Sequence, residues 1–138
     1  IKKRPLKAEF YQSFNKNTGF TQDQIFDSLA VISRTAKRME EMFDKFGGPW
    51  LLGSDYSLAD IAVLPSIDRI EDLGLDGLWI EPYPSVSRWL INAQQRTATN
   101  KSYFHGSRLS EQFPDLVKGP GSLADWTDNY FKARGSKD

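Results

Sequence analysis

The sequence predicts an all-α fold, and three observations carry that prediction. Between Ile25 and Phe46, apolar residues recur at helical spacing over about seven turns. At Ser57 a helix-start pattern opens onto an almost unbroken apolar run, Leu58-Ala-Asp-Ile-Ala-Val-Leu64. Nowhere do apolar and polar residues alternate long enough to make a strand. The expected architecture is a bundle of roughly four to six helices packed around a buried central one.

Residues 1–20 are basic and then aromatic: Lys2, Lys3 and Arg4, followed by Phe10, Tyr11, Phe14 and Phe20. Pro5 and the run Asn15-Lys-Asn-Thr-Gly19 argue against one long helix here. A short helix from Leu6 to Phe14 fits, and its aromatic trio either packs on a helical face or lines a cleft. Thr21 and Gln24 then spell a capping box, in which each side chain serves the other's backbone N–H, with Phe20 and Ile25 as its hydrophobic staple. Ile25, Leu29, Ile32, Ala36, Met39, Phe43 and Phe46 form the apolar stripe of the helix that follows. Arg34, Lys37, Arg38, Glu40, Glu41 and Asp44 lie off it, with Lys37 and Glu41 spaced for an i,i+4 pair. Gly47-Gly-Pro49 stops this helix, and Trp50-Leu-Leu52 connects onward with Trp50 as an expected buried anchor.

The central helix is expected from Ser57 to about Leu73, ending at Gly74. Ser57 and Asp60 are its capping box, and Tyr56 and Ile61 hold the staple positions. Its first half has almost no polar side, as in a buried helix. Pro65 removes one backbone hydrogen bond, so a kink is expected there. Beyond it, Ile67, Ile70 and Leu73 face inward, and Asp68, Arg69, Glu71 and Asp72 read as a solvated face.

Asp76-Gly77 with Pro82 and Pro84 marks a loop. Tyr83-Pro-Ser85 opens a further helix with Val86, Trp89, Leu90 and Ala93 at apolar spacing. A break follows Gln94, then a short turn carrying Tyr103 and Phe104. His105 to Ser122 reads as loop, with Pro114, Gly119, Pro120 and Gly121. Ser122-Leu-Ala-Asp125 repeats the earlier cap spelling. It starts an expected helix to about Ala133 that presents Leu123, Trp126 and Tyr130.

Composition narrows the function. A chain of 138 residues suits one domain with a real core. Its 18 basic and 18 acidic residues cancel, so nothing draws it to nucleic acid or an anionic membrane. No segment is apolar for long enough to span a bilayer. The absence of cysteine excludes disulfides, thiolate metal sites and cysteine nucleophiles in this chain, and fits the cytoplasm. With one histidine, His105, no histidine triad or metal cluster is expected. There is no Gly-rich phosphate loop, HExxH or nucleophile elbow. Ser57 and Asp60 look like a nucleophile and its base, but the helix start uses both groups. His105 reads as a solvated loop residue. The chain begins at Ile1 rather than Met and reads as a piece of a longer polypeptide.

The segment Leu52-Gly-Ser-Asp-Tyr-Ser-Leu-Ala-Asp-Ile-Ala62 follows a long amphipathic helix and Gly47-Gly-Pro-Trp-Leu51. Together they closely resemble the C-terminal helical domain of glutathione transferases, where the Ser-x-x-Asp cap is a folding element. Tyr83-Pro-Ser-Val-Ser-Arg-Trp89 resembles that family's Pro-x-Val-x-x-Trp segment. One departure is Arg96-Thr97, where many members have Arg-Pro. The resemblance covers about residues 20–104. It implies three parts: a remnant leading into the bundle (1–20), the helical domain (21–104) and an extension with a short helix (105–138). Pro5 with Asn17-x-Gly19-Phe20 is similar to bacterial glutathione-dependent β-aryl etherases.

The resemblance implies a two-domain enzyme that is dimeric when full length. An N-terminal thioredoxin-like domain would bind the co-substrate glutathione and activate its thiol, and this chain would shape the pocket for a small hydrophobic electrophile. No catalytic residue is then expected here. The pocket candidates are Tyr11, Phe14 and Arg69, with Tyr103 and Phe104 behind them. Two other readings stand beside this one: a non-catalytic helical module of the same fold used for protein assembly, and a protein that holds apolar compounds without turnover.

Overall fold

The long amphipathic helix α1 spans Gln22–Phe46 and starts as its sequence spells. The Gln24 N–H donates to Thr21 Oγ1 at 3.3 Å, and the Thr21 N–H donates to Gln24 Oε1 at 2.9 Å. It stops at Gly47, whose φ of 65° is the left-handed cap conformation, with the Gly47 N–H on the Phe43 carbonyl at 2.8 Å. Leu29, Ala36, Met39 and Phe43 are buried along the expected stripe. Phe46 is not: in the last turn it lies exposed beneath Lys45, whose Nζ sits 5.2 Å from its ring centroid. This computed structural model describes residues 20–102, 108–117 and 122–135.

A tight turn links α1 to the next helix. Trp50 and Gly53 exchange backbone hydrogen bonds at 3.2 and 3.1 Å. Gly48 makes that closure sterically feasible, because a Cβ on it would lie 1.9 Å from the Gly53 carbonyl oxygen. Leu51, not Trp50, is the buried anchor. Trp50 is half-buried and meets Tyr56 edge-on at 4.8 Å, and the Arg96 guanidinium lies 3.7 Å from the Tyr56 ring centroid. Tyr56 therefore packs on the turn and on Arg96, and its expected staple partner Ile61 is half exposed.

Helix α2, Leu58–Asp72, runs without interruption through Pro65. Its burial departs from the expectation in both halves, although Leu64 and Ile67 are buried as expected. Leu58 is 81% exposed, Ile61 is 52% exposed, and Ala62 and Pro65 also face solvent. Asp68 and Asp72, expected in water, are 5% and 3% exposed. Only the side bearing Leu64 and Ile67 enters the core. The segment expected as a loop is a 3-10 turn, Asp76–Leu78, that drives Leu75, Leu78 and Trp79 into the core.

Helix α3, Pro84–Gln94, buries Val86, Trp89, Leu90 and Ala93 as expected. Its start has no cap of its own. Glu40 of α1 supplies one, accepting from the Ser85 N–H at 3.0 Å and the Ser85 hydroxyl at 2.7 Å. α3 packs against α1, α2 and the short helix α4, Thr97–Ser102, so the bundle converges on α3 rather than on α2. The small buried faces at Val86, Ala93 and Ala36 let these helices approach closely.

The region read as loop after His105 contains two short helices, α5 (Leu109–Gln112) and α6 (Pro114–Val117). Helix α7, Leu123–Gly135, folds back on α1 and the 3-10 turn. Tyr130 joins the main core there, edge-on to Phe26 at 5.9 Å, with Leu123 and Trp126 packed alongside. The Ser122 hydroxyl does not cap α7, because it is buried with no hydrogen-bond partner among the described residues. No strand and no helix able to cross a membrane occurs among the described residues.

Candidate functional site

The polar centre of the molecule is the Asp60 carboxylate, which is 0% exposed. Its Oδ1 accepts from the Leu51 N–H at 3.0 Å and from the Trp89 indole N–H at 2.8 Å. Its Oδ2 accepts from the Ser57 N–H and the Ser57 hydroxyl, both at 2.9 Å. The Ser57 hydroxyl accepts in turn from the Ala59 N–H at 3.3 Å. Burial pushes the Asp60 carboxyl up, but the bonds from Leu51, Ser57 and Trp89 outweigh it and hold the group below the usual carboxylate range. A carboxylate whose oxygens are filled this way is a rivet between the turn, α2 and α3. It has no lone pair free to act as a base.

A second cluster ties the C-terminal segment to α2. The Arg108 guanidinium donates to Glu71 at 2.6 Å and lies 3.4 Å from Asp68 and 3.3 Å from Asp72. Gln94 donates to Asp68 at 2.8 Å. Asp72 caps α5 from a distance, accepting from the Leu109 N–H at 2.9 Å and from the Ser110 hydroxyl at 2.6 Å. Burial raises the Asp72 carboxyl, but the bonds from Ser110 and Leu109 and the Arg108 charge bring it below the usual range. Burial alone would lower Arg108, and the three carboxylates raise it instead. The acids that read as a solvated face are thus the seat of a clamp. Among the described residues no group of three or more His, Cys, Asp or Glu side chains is arranged to hold a metal ion.

Neither cluster opens onto a cavity suited to an apolar molecule. That cavity lies at the start of α1. A cleft of about 490 Å³ is walled by Phe20, Ile25, Leu29 and Ile32 on one side and by Leu75 and Trp126 on the other. Its polar atoms are largely engaged, since Gln24 caps the helix and the Ser28 hydroxyl donates to the Gln24 carbonyl at 2.9 Å. Asp27 is the one acid among the described residues that line it. The cleft can hold a flat or branched apolar body, and among the described residues no nucleophile with a free base faces it.

Of the candidates read from sequence, Tyr11, Phe14, Tyr103 and Phe104 lie outside the described residues, as does His105. Arg69 stands apart from this cleft, half exposed, donating to Asp72 at 2.8 Å. The cleft residues themselves were legible only as core positions. Ile25, Leu29 and Ile32 belong to the α1 stripe, but no local signal says that Trp126, about a hundred residues on, returns to face them.

A model of the family described as Glutathione S-transferase, C-terminal domain, matches residues 22–92. The chain belongs to that family. The match spans α1 to α3, so it takes in the Asp60 rivet and one wall of the cleft. In this glutathione S-transferase domain the Arg108 clamp and α7 lie beyond the matched segment. No solved structure matches the chain.

Proposed function

We propose that this chain is the electrophile-holding half of a glutathione transferase, working with a thioredoxin-like domain that binds glutathione and activates its thiol. The observation that carries the reading is the apolar cleft between the start of α1 and Trp126. It is a place to hold a hydrophobic molecule, with no chemistry of its own. Holding the electrophile while another domain supplies the thiolate separates positioning from activation. The exposed stripe Leu58, Ile61, Ala62 and Pro65 supports a partner domain, because these residues share one face of α2 and have no cover among the described residues. The proposed boundaries follow the same logic: 1–20 leads into the bundle, 21–104 is the helical domain and 105–138 is the extension clamped by Arg108. Tyr11, Phe14, Tyr103 and Phe104 remain the proposed further pocket residues, and Arg69, which stands apart from the cleft, is not proposed to line it.

Conjugation of, or cleavage by, glutathione is the proposed reaction, with an aryl ether as the narrower substrate class. The narrower class rests only on Pro5 and Asn17-x-Gly19-Phe20 and not on the family match. A cytoplasmic homodimer is the proposed state of the full-length protein. The test is retention of that protein on immobilised glutathione, together with turnover of an aryl halide and an aryl ether. Failure of both retention and turnover overturns the reading. The uncovered stripe on α2 also favours a second reading, a non-catalytic module that assembles with another protein. That reading wins if a protein partner buries Leu58 and Ile61 while no glutathione-dependent product forms.

A further inference from the structure

Among the described residues that line the apolar cleft, one is charged, and its sign is negative. That residue is Asp27, which is exposed. No ion pair or hydrogen bond to its carboxylate occurs among the described residues. Cations gather elsewhere: Arg34, Lys37 and Arg134 line a separate cleft between the middle of α1 and the end of α7. The apolar cleft also carries two aromatic side chains, Phe20 and Trp126. The negative face of an aromatic ring attracts a cation and repels an anion, so rings and carboxylate act in the same direction.

One effect opposes them. The cleft lies at the start of α1, and Trp126 is in the first turn of α7, where helix N-termini favour negative charge. That field is already answered. Asp23 sits in the first turn of α1 and Asp125 in the first turn of α7. The capping box occupies the Thr21 and Gln24 N–H groups as well. The charge left to meet a ligand is the Asp27 carboxylate.

We propose that this cleft selects an apolar molecule bearing an ammonium group, its body against Ile25, Leu29 and Trp126 and its charged head paired with Asp27. The proposal rests on the reading that the cleft holds the electrophile, and it names the class of electrophile: cationic rather than carboxylate- or sulfonate-bearing. Asp27 determines specificity and takes no part in the chemistry. An anionic head would meet the same carboxylate and no basic side chain among the described lining residues.

The test measures dissociation constants of the full chain by equilibrium dialysis. Two probes share a naphthalene body: 1-naphthylmethylamine, a cation at neutral pH, and 1-methylnaphthalene, which is uncharged. Asp27→Asn should weaken the amine by about threefold at low salt and leave methylnaphthalene unchanged, and Asp27→Lys should weaken the amine further. In about 1 M salt, where the screening length falls to about 3 Å, most of that difference should vanish. Trp126→Ala should weaken both probes, which places them in this cleft. Asp27 is exposed, so its variants keep the fold, and far-ultraviolet circular dichroism verifies this. Amine affinity unchanged in Asp27→Asn, with methylnaphthalene bound and sensitive to Trp126→Ala, overturns the proposal and leaves the reading of the cleft intact. Methylnaphthalene that does not bind, or that ignores Trp126→Ala, overturns that reading and the proposal with it.

Discussion

Asp60→Ala should be far more damaging than the equivalent change in the other capping box, and the structure says by how much. Removing the carboxylate leaves the Leu51 N–H, the Ser57 N–H and the Trp89 indole N–H without partners at a site that is 0% exposed. The Ser57 hydroxyl can turn elsewhere. A buried donor left unmade costs about 1–3 kcal/mol, and relief from burying a charge returns part of the total. The net loss is then about 3–5 kcal/mol, a large share of the roughly 5–15 kcal/mol that holds a domain together. With an unfolding entropy of roughly 2.1 cal/mol/K per residue, that is a fall of about 10–15 °C in Tm.

Gln24→Ala removes the matching half of the first box, where Thr21 is exposed and water replaces the lost acceptor. There the expected cost is about 0.5 kcal/mol, or about 2 °C. Asp60→Asn should fall between the two. Its amide oxygen still serves Leu51 and Trp89, but its NH₂ would oppose the Ser57 N–H. Urea unfolding followed by circular dichroism measures all three variants. Equal losses for Asp60→Ala and Gln24→Ala would refute the claim that burial and reach across elements, rather than helix capping alone, give Asp60 its weight.

Three further outcomes follow from the same contacts. Arg108→Met leaves Asp68 and Glu71 without their cation and Asp72 with Arg69 alone, and should cost about 2–4 kcal/mol and speed hydrogen exchange in α7 relative to α1. Glu40→Ala uncaps α3 at Ser85 and should cost about 1 kcal/mol, with Glu40→Gln recovering part of it in the same urea assay. Asp60 and Asp72 are both held below their ordinary values when folded. Their contribution is therefore present above the unfolded carboxylate value of about 3.9 and is lost as pH falls through the lower folded values, so the urea midpoint should drop steeply below about pH 4. Asp60→Asn should flatten that slope.

The helices were legible where periodicity and caps agree. Thr21, the α1 stripe and Gly47 announce a helix whose ends fall where the pattern puts them. Ser57 and Asp60 announce the start of α2 equally well. Their spelling does not reveal that the same carboxylate also receives Leu51 and Trp89, because those partners lie 9 and 29 residues away. The second Ser-x-x-Asp makes the converse point: at Ser122 the letters recur and the hydroxyl stays unpartnered. Spacing names the groups that can cap a helix, and tertiary packing decides whether they do. The 3-10 turn was missed because Asp76-Gly77 and the prolines dominate its composition, although Leu78 and Trp79 carry its burial. The cation-lined cleft between α1 and α7 had no local signal at all. Its cations come from helices that touch only in the fold.

The misjudged faces of α2 have one physical source. Apolar residues at Leu58, Ile61, Ala62 and Pro65 imply burial somewhere, and acids at Asp68, Glu71 and Asp72 imply water or a counter-charge. A single sequence does not say which surface satisfies either demand. Inside this chain the acids obtain theirs, because Arg108 and the capped start of α5 return to meet them. The apolar stripe obtains nothing. Full burial of a large aliphatic side chain stabilises by about 1.5–3 kcal/mol, so covering Leu58 and the half-exposed Ile61 offers about 2–4 kcal/mol to whatever docks there. That is too little to hold a partner on its own and enough to fix the register of a domain already tethered nearby. On α2 the acids of the C-terminal half are satisfied within the fold, and one face of the N-terminal half stays open opposite the buried Asp60 and Leu64; that open face is the one the proposed two-domain arrangement would use.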